Sequence, residues 1–527
     1  MHELVTKPLW SAHVSPPNFP SFSNTSVEST RQAFDVAVIG GGITGLTCAW
    51  LLKKQGKKVA LLEAHRIGSG TTGLTSAHIS TAYDHGYHTL EKSYSEHVAR
   101  CMANAMREGL ETIESIVEEL DIACDFERVP GYHFCDVGQD RSAVDSEFSA
   151  AKRAGLDVSY TSSVPLPFPV TLAYRVENQA QFHPLKYLYA LAKAVHGDGS
   201  AVFEHSRVTA IDDGEPCAVR TDAGTIVVDD VIMATHTPLG FSLIQAEVPP
   251  FRSFVTAFRV LAPLASGLFW DEADPYHYIR SYTSDAGSFL VVGGYDFKTA
   301  HGDEEKSFAA LAAYAKEKFD AHDLIFKWAG QFYDPIDHLP YIGLKPGTRH
   351  SYLATGFSGD GLSLGAFSAK LISQEIAERP SVYRDIFQPS RFPTHNISGF
   401  LQENADVARC FIGDRVEALT RSNKDELEDG EGRVIMQGMS SIAEYRNEAG
   451  ELRRFSAVCP HMKCLVRWNQ VEKSFDCPCH GSRFDTHGNL LEGPALSGLE
   501  AIEDDNTSEI IRNPINPSVN IPPPLPL

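Results

Sequence analysis

The sequence predicts an α/β unit interleaved with an α+β portion, followed by a separate small all-β unit. Three observations carry that prediction. Phe34–Glu63 reads as strand, glycine turn, helix and strand in immediate succession. Strand-like and helix-like text then alternates to about Glu378, as crossover units require. Beyond a polar, Pro-containing connector from Pro380 to Phe400, short β-rich runs separated by turns take over, too many for another crossover unit. With 527 residues, 43% of them hydrophobic, the chain has material for two or three cores at about 100–200 residues per domain.

Charge and cysteine usage narrow the class. Net charge is −22, from 68 acidic against 46 basic residues, and the basic ones form no dense cluster, so a nucleic-acid partner is not expected. No run of about 18 uncharged apolar residues offers a membrane span. Cys48, Cys101, Cys124, Cys135, Cys217 and Cys410 stand far apart and read as reduced core thiols. Residues 1–33 show neither a charged-then-apolar pattern nor a twin arginine, so no export signal is expected and the cytoplasm is the expected compartment.

Taken in order, residues 1–33 are rich in Ser, Pro and Thr and read as an extended arm, with Trp10 able to dock on the body. Tyr87–Leu120 carries Leu90, Tyr94, Val98, Met102, Met106, Leu110, Ile113 and Val117 at helical spacing, which predicts one long amphipathic core helix. Val227–Ala234 reads as a strand. The expected divisions are the arm 1–33, a first unit 34–378, a linker 379–403, a β unit 404–513 and a tail 514–527. Pro514, Pro517 and Pro522–Pro524 give that tail polyproline character, either a ligand for a proline-reading module or a plain extension.

The first chemistry-bearing motif is the glycine turn. Gly40-Gly41-Gly42-Ile43-Thr44-Gly45 follows the apolar strand Phe34–Ile39, Leu46–Gln55 is helical, and Lys58–Leu62 is a second strand closing on Glu63. Gly40 permits the tight turn, Gly42 lets backbone approach a pyrophosphate, and Gly45 lets helix and strand pack closely. The helix N-terminus, with Thr44 in its first turn, offers free N–H groups and a positive dipole end to phosphates. Glu63 accepts from ribose hydroxyls and would repel a 2′-phosphate, which argues against NADP. No second such turn follows a strand, which argues against a pyridine-nucleotide reductase.

The second motif is a donor cluster. Cys459, Cys464, Cys477 and Cys479 crowd into 21 residues as Cys459-Pro460-His461-Met462-Lys463-Cys464 and Cys477-Pro478-Cys479-His480-Gly481-Ser482. Cys-x-His plus Cys-x-x-His supplies two thiolates and two imidazoles, the set required by a [2Fe–2S] cluster with Cys on one iron and His on the other. A structural zinc site uses the same donors.

Both halves resemble known families. Residues 34–378 resemble the FAD-dependent amine and amino-acid oxidoreductases of the glycine oxidase and D-amino-acid oxidase (DAO) type, through the Gly40 turn, Gly68-Ser69-Gly70-Thr71-Thr72, Ala234-Thr235-His236, Leu339-Pro340-Tyr341-Ile342-Gly343 and Ala354-Thr355-Gly356-Phe357-Ser358-Gly359-Asp360-Gly361. The resemblance implies an FAD-binding Rossmann-like domain of the glutathione-reductase type, from segments of about 34–95, 185–240 and 326–378. An α+β substrate domain, of about 96–184 and 241–325, is interleaved with it. It places Gly40, Gly42, Thr44, Gly45, Glu63, Ala64, Gly70, Thr71, Thr72, Ser76, Val208, Ala234, Gly343, Gly356, Phe357 and Gly361 on FAD. Residues 404–505 are similar to Rieske domains, all-β modules in which Cys459 and Cys477 would bind one iron and His461 and His480 the other. Cys464 and Cys479 match the disulfide pair of high-potential members, two free thiols being the alternative. Ser482 matches a donor to cluster sulfide, whereas Phe484 stands where such members commonly have Tyr, which implies an intermediate-to-high potential.

The resemblance implies an FAD-dependent dehydrogenase that oxidises an amine or amino acid and passes electrons singly through the cluster to an external acceptor. Reverse flow from a reduced partner, for substrate reduction or oxygenation, is an alternative; a non-catalytic redox carrier or sensor is another. Tyr276, Tyr278 and Arg280 alternate along Pro275–Arg280 and so share one strand face. This resembles the glycine-oxidase strand whose arginine grips a substrate carboxylate, with a surface ion pair as the plainer reading of Arg280. Tyr132 and His133 are candidates for the opposite wall. His78, after Ser76-Ala77, is a candidate ring ligand, covalent flavin attachment point or hydrogen-bonded core residue.

Overall fold

A computed structural model describes residues 6–12, 14–23, 33–379, 381–392, 396–420 and 427–502; the Pro-rich tail lies outside the described residues. The chain divides into two units, Met1–Glu403 and Asn404–Leu527.

The first unit is built on two large sheets. β1 (Val36–Ile39) and β2 (Val59–Leu62) are apolar at every position and buried on both faces, as central parallel strands are. They lie in a six-stranded sheet ordered Tyr341–Leu344, Ser351–Thr355, Asp230–Met233, β1, β2, Ala201–Phe203. All its pairings are parallel except that of Tyr341–Leu344 with Ser351–Thr355. Helix α1 (Ile43–Lys54) crosses between β1 and β2 and packs against the helix Gly361–Ile376. The second sheet runs Asp323–Tyr333, Pro250–Val260, Gly287–Lys298, His277–Ser284, Leu268–Asp271, Glu127–Asp136, Val170–Gln181, His78–Ile79, with Val158–Thr161 also paired to Val170–Gln181. Described arm residues dock on this unit: Trp10 is fully buried, and Phe19 and Phe22 are buried.

Three local expectations are corrected. The helix expected over Tyr87–Leu120 is two helices, Tyr87–Ser93 and Glu96–Glu119. Ser95 divides them because its hydroxyl accepts from the Val98 N–H at 3.3 Å, capping the second helix. Val227–Ala234 is not one strand: Gly224–Val228 pairs antiparallel in a small side sheet, while Asp230–Met233 joins the parallel sheet. The turn between them is fixed by the Asp229 N–H, which donates to Asp35 O at 2.9 Å. Residues expected to form connector and then β runs are a 24-residue helix, Ile397–Thr420. Val407 and Cys410, three apart, pack on the core of the second unit, and this helical spacing outweighed the polar residues around it.

The rest of the second unit is β, as expected. Gly432–Gln437, Ser440–Arg446 and Leu452–Ser456 form one antiparallel sheet; Arg467–Asn469, Ser474–Asp476, Arg483–Phe484 and Leu490–Glu492 form another. Buried Arg483 ties the second sheet to three acids, Glu472 at 2.6 Å and Asp476 and Glu492 at 3.0 Å each. Such a buried cation is tolerable because several acceptors surround it.

Candidate functional site

The glycine turn is closed by contacts no side chain would permit. A Cβ at Gly45 would stand 2.0 Å from Gly40 O, and one at Gly40, where φ is 107°, would stand 2.4 Å from Ala234 O. Helix α1 therefore starts directly over β1. Its N-cap Gly42 has no side-chain cap and its first turn has no acid, so the N–H groups there other than that of Ile43 stay available to an anion. Glu63 ends β2 with Oε2 accepting from the Gly41 N–H at 2.7 Å and Oε1 from the His65 N–H at 2.8 Å. Thr72 Oγ1 accepts from the Ile43 N–H at 3.2 Å, which brings the second Gly/Thr loop onto the first turn. Thr71 Oγ1 lies 3.2 Å from His236 Nδ1. A Cβ at Gly70 or Gly361 would meet nothing, so both loops border open space. Helix Gly361–Ile376 again starts with no side-chain cap and no acid in its first turn. Two uncapped helix starts, an acid at the end of β2 and open loops between them suit the pyrophosphate, ribose and ring system of FAD.

The remaining expected FAD positions fall on several elements of the first unit. Ala64 follows Glu63, and Ala234 follows Asp230–Met233 with its N–H donating to Ile39 O at 2.9 Å. Val208 starts the side sheet, Ser76 Oγ bonds His78, and Gly356 and Phe357 lie between Ser351–Thr355 and Gly361. Gly343 pairs with Leu353 inside the sheet, with Glu375 above it.

The four catalytic candidates separate. Tyr278 and His78 meet, their ring centroids 5.6 Å apart. His78 Nδ1 is 3.0 Å from Ser76 Oγ and Nε2 is 3.3 Å from Ile279 O; burial and the nearby Arg280 charge push its pKa down to about 3, so the ring is neutral. Arg280 is buried, and its Nη1 donates to Ala77 O at 2.7 Å while its guanidinium lies 5.4 Å from the Trp10 ring. Tyr132 stacks on Phe269 at 5.2 Å within the sheet and touches none of the other three; His133 bonds Tyr174 and Glu272.

Sequence reasoning missed a polar cluster beside these residues. Tyr276 Oη donates to Asp296 Oδ2 at 2.7 Å, and Ser253 Oγ lies 2.8 Å from Tyr278 Oη. Burial pushes Asp296 up to about 7, against hydrogen bonds from Ser253 and Tyr276 and with Asp84 and Asp334 adding to the rise. His85 Nε2 sits 2.7 Å from Asp334 Oδ1 and 3.0 Å from Ser358 Oγ. Burial alone would lower His85, but Asp334, with Asp84 and Asp360, pushes it up to about 9. His85 and Asp334 are 249 residues apart, and no spacing in the sequence marks them as a pair.

In the second unit the two Cys/His turns face each other. Cys459 N–H donates to Cys464 O at 2.8 Å and Cys477 N–H to Ser482 O at 2.8 Å, each closing a short loop. Cys464 and Cys479 form a disulfide that joins the loops, while the other eight cysteines are free and buried. The Cys459 and Cys477 sulfurs share a hydrogen bond, and Ser482 hydroxyl also bonds Cys459. The His461 and His480 rings lie 4.9 Å apart and nearly perpendicular. Two adjacent sulfurs and two adjacent imidazoles fit a [2Fe–2S] cluster with unlike irons.

The comparisons identify both domains. The family model for FAD dependent oxidoreductases (DAO) matches residues 35–375, and that for the Rieske [2Fe-2S] domain matches 419–503. Over 500 residues the chain is 30% identical to the Rieske 2Fe-2S iron-sulfur protein YhfW of Bacillus subtilis (strain 168), a match covering 94% of this chain and 97% of that protein. It is 27% identical over 371 residues to gamma-glutamylputrescine oxidoreductase of Escherichia coli (strain K12), covering 67% of this chain and 86% of the relative. Glycine oxidase from Geobacillus kaustophilus shares the fold at a TM-score of 0.59 and 18% identity, covering 68% of this chain and 99% of that one. Among the described residues no helix is long and apolar enough to cross a membrane. With a glycine fingerprint suited to FAD in the first unit and paired Cys/His loops suited to a cluster in the second, and a family model matching each region, this chain is a member of the FAD dependent oxidoreductase (DAO) family with a C-terminal Rieske [2Fe-2S] domain.

Proposed function

We propose that the chain dehydrogenates a small amine or amino acid at FAD and releases the electrons singly through the [2Fe–2S] cluster to an external acceptor in the cytoplasm. The observation that carries this reading is the union, in one chain, of a two-electron and a one-electron cofactor site. The names of relatives support the substrate class: gamma-glutamylputrescine for one, glycine and L-proline for two proteins of the same fold.

When bound, FAD takes two electrons as hydride from the C–H next to nitrogen, and the cluster takes one at a time. The chain's own contribution lies around Asp296. Its carboxyl, pushed up to about 7, is suited to hold the proton that a substrate ammonium must lose. Tyr276 orients that carboxyl by donating to Oδ2, and Ser253 and Tyr278 add hydroxyls beside it. Neutral His78, bonded on both ring nitrogens, positions the strand end rather than carrying charge. Tyr132 shapes the sheet through its stack on Phe269.

An anaerobic series of amines and amino acids tests the reading, with flavin absorbance and the cluster's electron spin resonance followed together. The expected result is bleaching of the flavin by one substrate class without added reductant, followed by the reduced-cluster signal. Bleaching only after a reduced one-electron donor is added would establish reverse flow instead.

A further inference from the structure

From Glu63 to Ala77 the chain runs from the end of β2, past Thr72 against the first turn of α1, to the strand His78–Ile79. The N-terminal arm holds this segment near both ends. At the first, fully buried Glu204 accepts from the Ile67 N–H at 2.9 Å through Oε1 and from the Phe19 N–H at 3.2 Å through Oε2. Beside it, Ser206 Oγ accepts from the Phe22 N–H at 2.8 Å, while the Ser206 N–H donates to Glu63 O at 2.8 Å. At the second, Trp10 Nε1 donates to Thr75 O at 2.7 Å. The Trp10 ring also lies 5.1 Å from Tyr282, 5.4 Å from His183 and 5.4 Å from the Arg280 guanidinium.

The second end is strained. Ala77 is fully buried at φ 66°, a left-handed conformation that a residue with a Cβ keeps only when its surroundings impose it. Thr75 Oγ1 accepts from its N–H at 3.1 Å, and Arg280 Nη1 donates to its carbonyl at 2.7 Å. Among the described residues Arg280 forms no ion pair; its buried charge rests on backbone carbonyls and on the face of Trp10. A desolvated cation kept without an acid is an expensive way to fill a core, and its geometry here is directed at one strained carbonyl.

We propose that the N-terminal arm is a clasp on the FAD site. Trp10 acts through Thr75 and Arg280, and Phe19 and Phe22 act through Glu204 and Ser206. Together they hold Glu63–Ala77 in its binding shape and thereby set how fast FAD leaves. Trp10 and Arg280 are positioning residues in this scheme. The proposal rests on FAD binding and not on the substrate class, so it stands or falls independently of the amine reading.

The test uses the full-length holoprotein, well below its melting temperature. FAD release after dilution is read from the rise in flavin fluorescence, and the melting temperature of the FAD-free protein is measured alongside. Trp10→Phe keeps an aromatic face but removes the pyrrole ring and its hydrogen bond, and should speed release about fivefold. Arg280→Lys, which keeps the charge but not the fork, should speed it by about tenfold or more. Phe134→Leu, in the buried sheet core against Phe168, is the control and should lower the melting temperature without changing release. Release within twofold of the parent in both clasp variants overturns the proposal. So does equal acceleration in Phe134→Leu at a matched loss of melting temperature, which would make the clasp ordinary packing. Trp10→Ala is a stronger form of the first variant; if it does not fold, Trp10→Phe and Arg280→Lys decide.

Discussion

Replacing Glu63 by Gln removes one oxygen and the charge at the end of β2, with almost no change in volume. Each Glu63 oxygen accepts a backbone N–H, from Gly41 at 2.7 Å and from His65 at 2.8 Å. Its charge also offsets that of the partly desolvated Arg207 nearby. A glutamine can keep only one of the two acceptor roles; its amide N–H₂ must face the other N–H. Losing a charge-assisted hydrogen bond costs about 1.5–3 kcal/mol, and a buried donor left unmet costs about 1–3 kcal/mol. Part of that loss falls on the free protein, because the Gly41 turn is built on Glu63. The rest falls on the ribose hydroxyls that the same carboxylate would accept from, so the FAD Kd should rise by about 10- to 100-fold, at tenfold per 1.4 kcal/mol. Calorimetric titration of FAD into the FAD-free protein measures the change in Kd, and the Tm of that protein measures the loss in the free state. A Kd within threefold of the parent, together with a lowered Tm, would show that Glu63 only builds the turn and would refute its place on the ribose.

His85 should make stability fall as pH rises. Its pKa is raised from 6.5 to about 9, so its stabilisation is complete below about pH 6.5 and is lost as pH climbs through about 9, to at most about 3 kcal/mol. His85→Gln should flatten Tm between pH 6.5 and 9, and parallel profiles in parent and variant would exclude the His85–Asp334 pair as the cause. In the second unit, Cys477→Ser should abolish the cluster spectrum, since a hydroxyl is a poor ligand beside soft sulfide. His480→Cys should keep a cluster and move its potential toward the value of about −400 mV found for all-thiolate sites, because a thiolate adds negative charge; an unchanged potential in voltammetry contradicts that assignment. A chain ending at Glu403, where the two units divide, should bind FAD and be reduced once by substrate, yet lose steady turnover with the natural acceptor. Undiminished turnover would make the cluster structural.

Local chemistry is what the sequence by itself determined. A strand, a glycine turn and a helix are specified within about 20 neighbouring residues, because the close approach of Gly45 to Gly40 acts over one turn of chain, whereas the contact of Gly40 with Ala234 O is made only by the folded sheet. The candidate cluster ligands are equally legible: Cys459–Cys464 and Cys477–Ser482 each close a loop within six residues, so donor type and spacing mark the candidate site. Ser95 shows the limit of that legibility, since helical spacing runs through it and only its hydroxyl, used as a cap, breaks the helix. The tertiary structure alone decided what Arg280 does. Strand alternation put it on a face with Tyr278, but whether that face met a substrate or a carbonyl depended on Trp10, 270 residues earlier, and on the strained Ala77. The same holds for His85 with Asp334 and for Asp296 with Tyr276: strand alternation marked Tyr276, but His85, Asp334 and Asp296 are single polar residues without a pattern, whose charges are set by burial and by partners that only the packed sheets bring within 3 Å.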